Sequence, residues 1–295
     1  WARDAEQAAR LATTRRNERY LRGVALPDAV RVTGELPRDA GLYLAATPVA
    51  GLREVLQKIG RSAPVVWLCK GFEEASGDLP HQIAESLLGA AGRFGALSGP
   101  SFADEVARGL PCALTLAARD TGFARETAAS LHGGRLRVYY STDLIGVEIG
   151  GAVKNVMAIA VGIGDGLGLG QNARAALITR GLAEITRLGT ALGGQPETFM
   201  GLAGAGDLIL TATGDLSRNR RVGLELAGGR SLAEILAGLG HVAEGVRSAK
   251  AVLGLSKKMN IDMPITAAVN AVLDGRLKPA AAVEQLLMRD PRSET

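Results

Sequence analysis

The sequence predicts an α/β fold, with a doubly wound, mostly parallel sheet in residues 1–142 and an all-helical domain in residues 143–295. Three observations lead to this prediction. Short apolar runs alternate with helical segments in the first part, as in parallel sheets with crossover helices. After residue 142 only helical periodicity continues. The 295 residues, 47% of them hydrophobic, are enough for two cores.

The first part begins with a helix over residues 4–16, which starts at Asp4 and leads into a turn-rich segment. Helices are also expected at residues 51–60 and 81–88. The strands between the helices are apolar enough to be buried on both faces of a sheet. They are predicted at residues 41–48, 63–71, 94–102, 111–118 and 135–141.

The second part shows the apolar periodicity of packed helices. In residues 172–193, for example, Ile178 and Leu182 would lie one turn apart on an apolar face, with Arg180 between them in sequence. Helices are predicted at residues 145–163, 172–193, 217–228, 231–238, 244–259 and 279–288.

Composition narrows the possible functions. The net charge is +4, but basic and acidic residues are interspersed, and only 4% of residues are aromatic. This favours a local site for small anions and argues against a nucleic-acid partner. Cys69 and Cys112 form no CxxC pattern, and the three histidines lie far apart, so we expect reduced thiols and no metal site.

The sequence also predicts a cytoplasmic location. No signal peptide or transit segment is visible from Trp1 onward. The apolar run at residues 149–164 is too short for a membrane span and is interrupted by glycines, so no membrane insertion is expected.

Lys154 is the single charged residue of the run IGGAVKNVMAIAVGIG at 149–164. One interpretation is a buried helix whose lysine extends its ammonium group to the surface. The other is a lysine in a partly dry site, where a lowered pKa lets it exchange protons.

Polar residues also follow two predicted strands, at the edge where parallel sheets bind ligands. Lys70 follows one strand, and the segment SGPS at 98–101 follows the next. Ser101 is predicted to cap the following helix, with Asp104 completing a rough capping box. The structural alternatives are a surface lysine and a plain turn.

Two segments of the helical part carry further candidates. Asp207 is the only acid in LAGAGDLILT, where a helix cap is the alternative to a site role. Ser217 is predicted to cap a helix whose first turn, RNRR, holds three arginines. Because cations oppose the helix dipole at this end, the cluster favours phosphate binding, with a solvated basic turn as the alternative.

The usual nucleotide motifs are not found in the sequence. No GxGxxG follows a predicted strand, and there is no GxxxxGK[ST]. The segment GLGQNA at 168–173 fits a looser pattern, but it follows a helical run and is not interpreted as a nucleotide loop.

KGFE, LSGPSFADEVARGLP, GGAVKN, GLAGAGDLILT and LSRNRR occur in this order along the chain. In this combination and spacing the sequence resembles the bacterial NAD(P)-dependent glycerol-3-phosphate dehydrogenases over essentially its whole length. The resemblance implies a Rossmann-like NAD(P)-binding domain over 1–142 and a substrate-binding helical domain over 143–295. Family members begin with a strand and a glycine-rich phosphate loop before WARD. The chain as given lacks this first βα unit, so weak cofactor binding is expected of it.

The resemblance also implies roles for individual residues. Lys154 would be the catalytic proton donor and acceptor. The implied substrate contacts are Lys154, Lys70, Gly99, Ser101, Asp207, Ser217, Arg218 and Asn219. The implied cofactor contacts are Arg3, Lys70, Ala103, Arg218, Val242 and Glu244.

The implied reaction is the reversible reduction of dihydroxyacetone phosphate to sn-glycerol 3-phosphate with NADH or NADPH, without a metal, for phospholipid synthesis. The charge of Lys70 would lower the pKa of Lys154, while Asp207 would oppose that shift. Arg3 follows the position of the second strand, where an arginine tolerates the 2′-phosphate of NADP. A homodimer is expected. Two alternatives stay open: a related dehydrogenase of hydroxy or sugar acids, and a non-catalytic binding protein.

Overall fold

The computed structural model describes residues 1–61, 63–239 and 243–290. Its first part contains seven strands and five helices among these residues. The strands are β1 Arg16–Asn17, β2 Leu21–Ala25, β3 Tyr43–Ala45, β4 Val65–Trp67, β5 Phe94–Ser98, β6 Cys112–Ala117 and β7 Leu136–Ser141. The helices are α1 Ala5–Thr14, α2 Val49–Ile59, α3 Pro80–Leu88, α4 Ala103–Ala107 and α5 Thr121–Leu131.

The main sheet has the order β3-β4-β5-β6-β7 in the described part of the chain, and all its pairs are parallel except β5 with β6. Helices cover both faces of the sheet. The packing of β4 shows this, since its neighbouring side chains enter different hydrophobic cores. Val65 and Trp67 pack with α2 and α3, whereas Val66 packs with α5. The predicted Rossmann-like sheet with an all-α C-terminal domain is confirmed.

The turn-rich segment after α1 was predicted to be irregular, and here the prediction is incomplete. β1 and β2 form a short antiparallel pair. Arg15 turns the chain out of α1 in the left-handed conformation, with φ of 55°. Its guanidinium donates to the carbonyl oxygens of Pro27 and Val30 at 2.5 and 2.9 Å, which ties the hairpin to the following loop.

The second part contains no strand among its described residues, and its helices include a π-helical turn at Leu202–Gly206. The helices are α6 Leu144–Gly166, α7 Gly170–Ala191, α8 Pro196–Met200, α9 Asp207–Thr213, α10 Arg218–Ala227, α11 Leu232–Leu239, α12 Glu244–Lys258, α13 Pro264–Leu273 and α14 Pro279–Leu287. α8, α9 and α13 were not predicted. In α13, Ile265, Val269 and Val272 recur at helical spacing, but β-branched residues weaken the propensity of the segment.

α6 is the central helix of this part. Its N-cap is Asp143, whose side chain accepts a hydrogen bond from the Gly146 amide at 2.8 Å, and nearly all residues of the helix are buried. By length and composition α6 could cross a membrane, but 94% of its apolar window is buried inside the protein. A helix that is apolar on all sides is typical of a protein core.

α6 and α10 cross with their backbones in contact. A Cβ atom at Gly223 would lie 2.2 Å from the Ile159 carbonyl oxygen, and one at Gly162 would lie 2.0 Å from the Arg220 carbonyl oxygen. Only glycine permits this approach. It places the start of α10 against the middle of α6, the stretch that carries Lys154.

Gly223→Ala should therefore force α10 away from α6 and lower the free energy of unfolding by about 2–3 kcal/mol. Gly254→Ala is the matched control, because Gly254 lies in α12 and a methyl group there would have nothing within 4 Å. It should raise stability by about 0.5–1 kcal/mol. Urea unfolding followed by circular dichroism measures both, and equal stability of the two variants would contradict the close crossing.

Candidate active site

Two lysines and one aspartate form an ion cluster between the two parts of the chain. Lys70 follows β4, Lys154 lies in the middle of α6, and Asp207 begins α9. Lys70 Nζ donates to Asp207 Oδ2 at 2.6 Å, and Lys154 Nζ donates to Asp207 Oδ1. One carboxylate therefore holds both ammonium groups.

Lys154 is buried, with 6% of its surface exposed, so its head does not reach the surface as the snorkelling interpretation requires. Burial lowers its pKa first, and repulsion from Lys70 lowers it further. Asp207 and Glu244 oppose the shift, and the pKa comes to about 8. Both the repulsion by Lys70 and the opposing effect of Asp207 match the prediction from sequence.

Asp207 is 1% exposed and reaches the cluster because the chain enters α9 through the π-helical turn. Burial raises its pKa, but Lys70 and Lys154 lower it more, so the net pKa lies below the ordinary value. The carboxylate is thus held ionised between the two cations. The alternative prediction of a helix-cap role does not hold, because its side chain bonds the lysines and not the first turn of α9.

Lys70 reaches Asp207 by passing over a glycine of α6. A Cβ atom at Gly151 would lie 3.3 Å from the Lys70 Cδ and 3.1 Å from the Ser98 Oγ, so a larger residue would crowd the lysine. Lys70 Nζ also lies 3.4 Å from the Gly99 carbonyl oxygen. The ends of β4 and β5 therefore meet at the cluster, as predicted for the edge of a parallel sheet.

Ser101 does not cap the next helix, contrary to the prediction. The N-cap of α4 is Phe102, with no side-chain hydrogen bond at the cap. Ser101 Oγ instead donates to the Gly99 carbonyl oxygen at 3.0 Å. Because this short contact closes the turn on itself, the hydroxyl lies beside Gly99 and not over the first amides of α4.

A second network extends from the residue after Lys154. Asn219 Nδ2 donates to Asn155 Oδ1 at 2.9 Å, and the Gly245 amide donates to Asn219 Oδ1 at 3.0 Å. Asn219 thus fixes the starts of α10 and α12 against α6. Ser217 caps α10 as predicted, since its Oγ accepts from the Arg220 amide at 3.2 Å.

The three arginines at the start of α10 have different surroundings. Arg220 binds Asp165 and Asp215 at 2.8 and 3.0 Å, and Arg221 binds Glu225 at 2.7 Å. These two therefore serve the structure of the helical part. Arg218 is exposed and has no ion pair within the ranges that the structure describes, so the basic cluster reduces to one guanidinium available to an anion.

Glu244 begins α12 beside these groups. Burial raises its pKa, while the positive charges of Lys70, Arg218, Lys154 and Arg247 lower it by smaller amounts. Glu244 is therefore electrostatically linked to both lysines and to Arg218. The structure brings it together with the ion cluster, as the sequence-based site requires.

The remaining candidates lie apart from the cluster or outside the described residues. Arg3 is exposed and lies 3.5 Å from Glu54 of α2. Ala103 is the exposed first residue of α4. Val242 lies outside the described residues.

Two buried hydroxyl oxygens lie at the carboxyl edge of the sheet without a hydrogen-bond partner in the described part of the chain. Thr47 Oγ1 follows β3, and Ser98 Oγ ends β5. Buried polar atoms normally have partners, so this edge fits a polar ligand such as a dinucleotide. No group of three or more metal-ligating side chains occurs among the described residues.

Comparisons with known proteins agree on one family. The family model for the N-terminus of NAD-dependent glycerol-3-phosphate dehydrogenase matches residues 1–124, and the model for its C-terminus matches residues 143–284. The chain belongs to this family. It is therefore an NAD(P)-dependent oxidoreductase.

Individual relatives support the assignment. A glycerol-3-phosphate dehydrogenase [NAD(P)+] of Methylibium petroleiphilum is 60% identical over 100% of this chain and 90% of its own length. One of Dechloromonas aromatica is 59% identical over 100% and 91%. The crystal structure of glycerol-3-phosphate dehydrogenase from Coxiella burnetii has a TM-score of 0.92 and 39% identity, covering 98% of this chain and 90% of its own.

Reasoning from the sequence missed two polar residues of the site. Thr211 Oγ1 accepts from Lys154 Nζ at 2.8 Å and donates to the Asp207 carbonyl oxygen at 2.7 Å. Its spacing of four residues from Asp207 places both on one helix face, a signal that was available once α9 was recognised. Asn155 was also missed, although it follows Lys154 directly in an apolar run.

Asp207→Asn should lower the pKa of Lys154 further below its value of about 8. The substitution removes the negative charge that stabilises the ammonium form, and such a charge is worth about 1–3 pKa units. The measurement is a ¹³C NMR titration of ligand-free protein labelled at the lysine ε-carbons. Asp143→Asn, at the cap of the same helix as Lys154, should leave that pKa unchanged; a fall in both variants would contradict the role of Asp207.

Proposed function

We propose that the chain catalyses the reversible reduction of dihydroxyacetone phosphate to sn-glycerol 3-phosphate with NADH or NADPH, and supplies glycerophospholipid synthesis. The observation that carries this proposal is the Lys70–Asp207–Lys154 cluster at the carboxyl edge of the sheet, in which Asp207 and Lys154 are buried. It combines Lys154, a proton donor with a pKa of about 8, with the second cation Lys70 and with the negative charge of Asp207.

Lys154 is the proposed proton donor and acceptor. The reduced nicotinamide supplies a hydride to the ketone carbon. As the carbonyl oxygen gains negative charge, the Lys154 ammonium stabilises it and donates a proton, giving the alcohol. In the oxidative direction the neutral amine takes that proton from the hydroxyl group, so a pKa of about 8 serves both directions near neutral pH.

Lys70 and Asp207 set the pKa and the position of Lys154. Lys70 carries the second positive charge, which favours the amine form of Lys154 and adds to the field at the substrate oxygen. Asp207 fixes both ammonium groups in place and accepts from each. Catalytic groups that are already oriented avoid the cost of reorganisation in the transition state.

The substrate phosphate is proposed to lie against Arg218 at the start of α10. Its guanidinium is exposed, and the neighbouring backbone amides lie at a helix N-terminus, which favours anions. Asn219, Ser217, Gly99 and Ser101 complete the proposed substrate pocket. The hydroxyl of Ser217 and the amide of Asn219 are already bonded within the protein, so they act by holding backbone and neighbours in position.

Lys70, Arg218 and Glu244 are the proposed contacts to the nicotinamide end of the cofactor. Lys70 belongs to the cluster, and Glu244 interacts electrostatically with both of its lysines and with Arg218. Arg3, Ala103 and Val242 are proposed as further cofactor contacts. The exposed guanidinium of Arg3 is suited to a 2′-phosphate, so we propose that NADP is accepted as well as NAD.

The domain boundary is proposed between residues 142 and 143, because Asp143 is the N-cap of α6. We propose a homodimer, because the edge strand β7 exposes Tyr139 and Tyr140 at 53% each, and Met200 is 69% exposed. Apolar surface of this kind is typical of subunit interfaces. A cytoplasmic location without membrane insertion is proposed on the burial of α6.

Phosphate recognition separates this function from that of a hydroxy-acid dehydrogenase. Arg218→Ala should raise the KM for dihydroxyacetone phosphate by about tenfold or more, as expected for a lost charge-assisted contact, with little change in kcat. The measurement is NAD(P)H oxidation with dihydroxyacetone phosphate, dihydroxyacetone and a 2-keto acid as substrates.

The control is Arg221→Ala, a residue in the same turn whose partner is Glu225. It should leave the KM for dihydroxyacetone phosphate at the wild-type value. Equal rates with phosphorylated and unphosphorylated substrates would refute the proposed substrate, and no turnover with any of them would favour a binding protein.

A further inference from the structure

Glu148 is a buried carboxylate that the proposed chemistry does not use. It lies on α6, six residues before Lys154, and is 6% exposed. Its Oε1 accepts from Trp67 Nε1 at 3.0 Å and from the His81 amide at 3.0 Å, and its Oε2 contacts His81 Nδ1. Burying a carboxylate costs free energy unless its oxygens accept hydrogen bonds, so we asked what these hydrogen bonds hold in place.

The partners of Glu148 stand at the two ends of the segment that carries Lys70. Trp67 is the last residue of β4, and His81 is the second residue of α3. Segment 68–79, which connects β4 to α3, includes Lys70. Its middle is also attached to α2, since Glu73 binds Arg53 at 2.7 Å. Glu148 therefore adds a hydrogen-bonded link from the ends of this segment to the helix that carries Lys154, beside the apolar packing of Phe72 and Leu79 in the core around that helix.

Glu148 and Lys70 also line one small cavity. Its volume is about 10 Å³, and its other lining residues include Cys69, Ser98 and Val147. The charged and titratable groups near Glu148 are His81, Cys69 and Lys70. Those that act on Lys154 are Lys70, Asp207 and Glu244, so Glu148 itself does not act directly on Lys154.

We propose that Glu148 is a positioning residue, which anchors both ends of segment 68–79 to α6 and thereby holds Lys70 against Asp207 and Lys154. The inference deepens the proposed function and rests on its assignment of Lys154 as the proton donor. Glu148 acts through Lys70, at a distance from the substrate.

The test uses Glu148→Ala and Glu148→Gln. Alanine removes every hydrogen bond that Glu148 makes, so Lys70 is expected to move away from Lys154 and water to enter. Both effects raise the pKa of Lys154, by about 1 unit. Glutamine keeps an oxygen for Trp67 and the His81 amide, so the pKa should stay within about 0.3 unit of wild type. Simple loss of a negative charge would lower the pKa in both variants, so the sign of the change separates the two explanations.

The measurement is the ¹³C NMR titration of Lys154 in the ligand-free enzyme, which does not depend on turnover. Its result is therefore independent of whether dihydroxyacetone phosphate is the substrate. In steady-state assays, Glu148→Ala should lower kcat by about tenfold, as expected for a misplaced catalytic group, and Glu148→Gln should restore most of it.

Glu184→Ala is the matched control. Glu184 is 1% exposed and accepts from the Ile265 and Thr266 amides at 2.6 and 3.1 Å, away from the cluster. It should lower stability without changing the pKa of Lys154. The proposal is overturned if Glu148→Ala leaves that pKa unchanged or lowered, or if Glu148→Gln raises it equally.

If Glu148→Ala does not fold, Trp67→Phe replaces it in the test. This variant removes one anchor and keeps an aromatic ring in the core. A smaller rise in the pKa of Lys154 is expected, and an unchanged pKa overturns the proposal.

Discussion

One carboxylate, that of Asp207, holds two ammonium groups in a site that is almost closed to water. Without it, the buried Lys154 and the partly buried Lys70 would repel each other and lose hydration. With Asp207 between them, Lys70 lies beside Lys154, and the pKa of Lys154 comes to about 8. The proton chemistry proposed for the enzyme depends on this balance.

α6 is the element that brings the charges of Lys70, Lys154 and Asp207 together. Its glycines let α10 and the Lys70 side chain approach its backbone, and Glu148 links it to β4 and α3. The apolar residues around Lys154 exclude water, which strengthens each charge interaction within the site. A single helix thus supplies the proton donor and part of the framework that sets its pKa.

The sequence predicted the architecture and the ion cluster because both depend on strong local signals. Strand runs were clear from apolar periodicity, and Lys154 stood out as a lone charge in an apolar helix. The antiparallel pairing of β5 with β6 and the turn at Ser101 could not be predicted, since they depend on contacts between distant segments. Glu148 was missed for the same reason: its partners, Trp67 and His81, are 81 and 67 residues away.

The central claim is that burial and Lys70 bring the pKa of Lys154 to about 8, where it can act in both directions. The most direct test is the pH dependence of kcat/KM for both reactions, which reports groups of the free enzyme. Reduction requires the ammonium form and should fall as pH rises through about 8, whereas oxidation requires the amine and should rise through the same pH. A common midpoint near 8 with opposite slopes supports the account. Slopes of the same sign, or a midpoint near the ordinary lysine value, would contradict it.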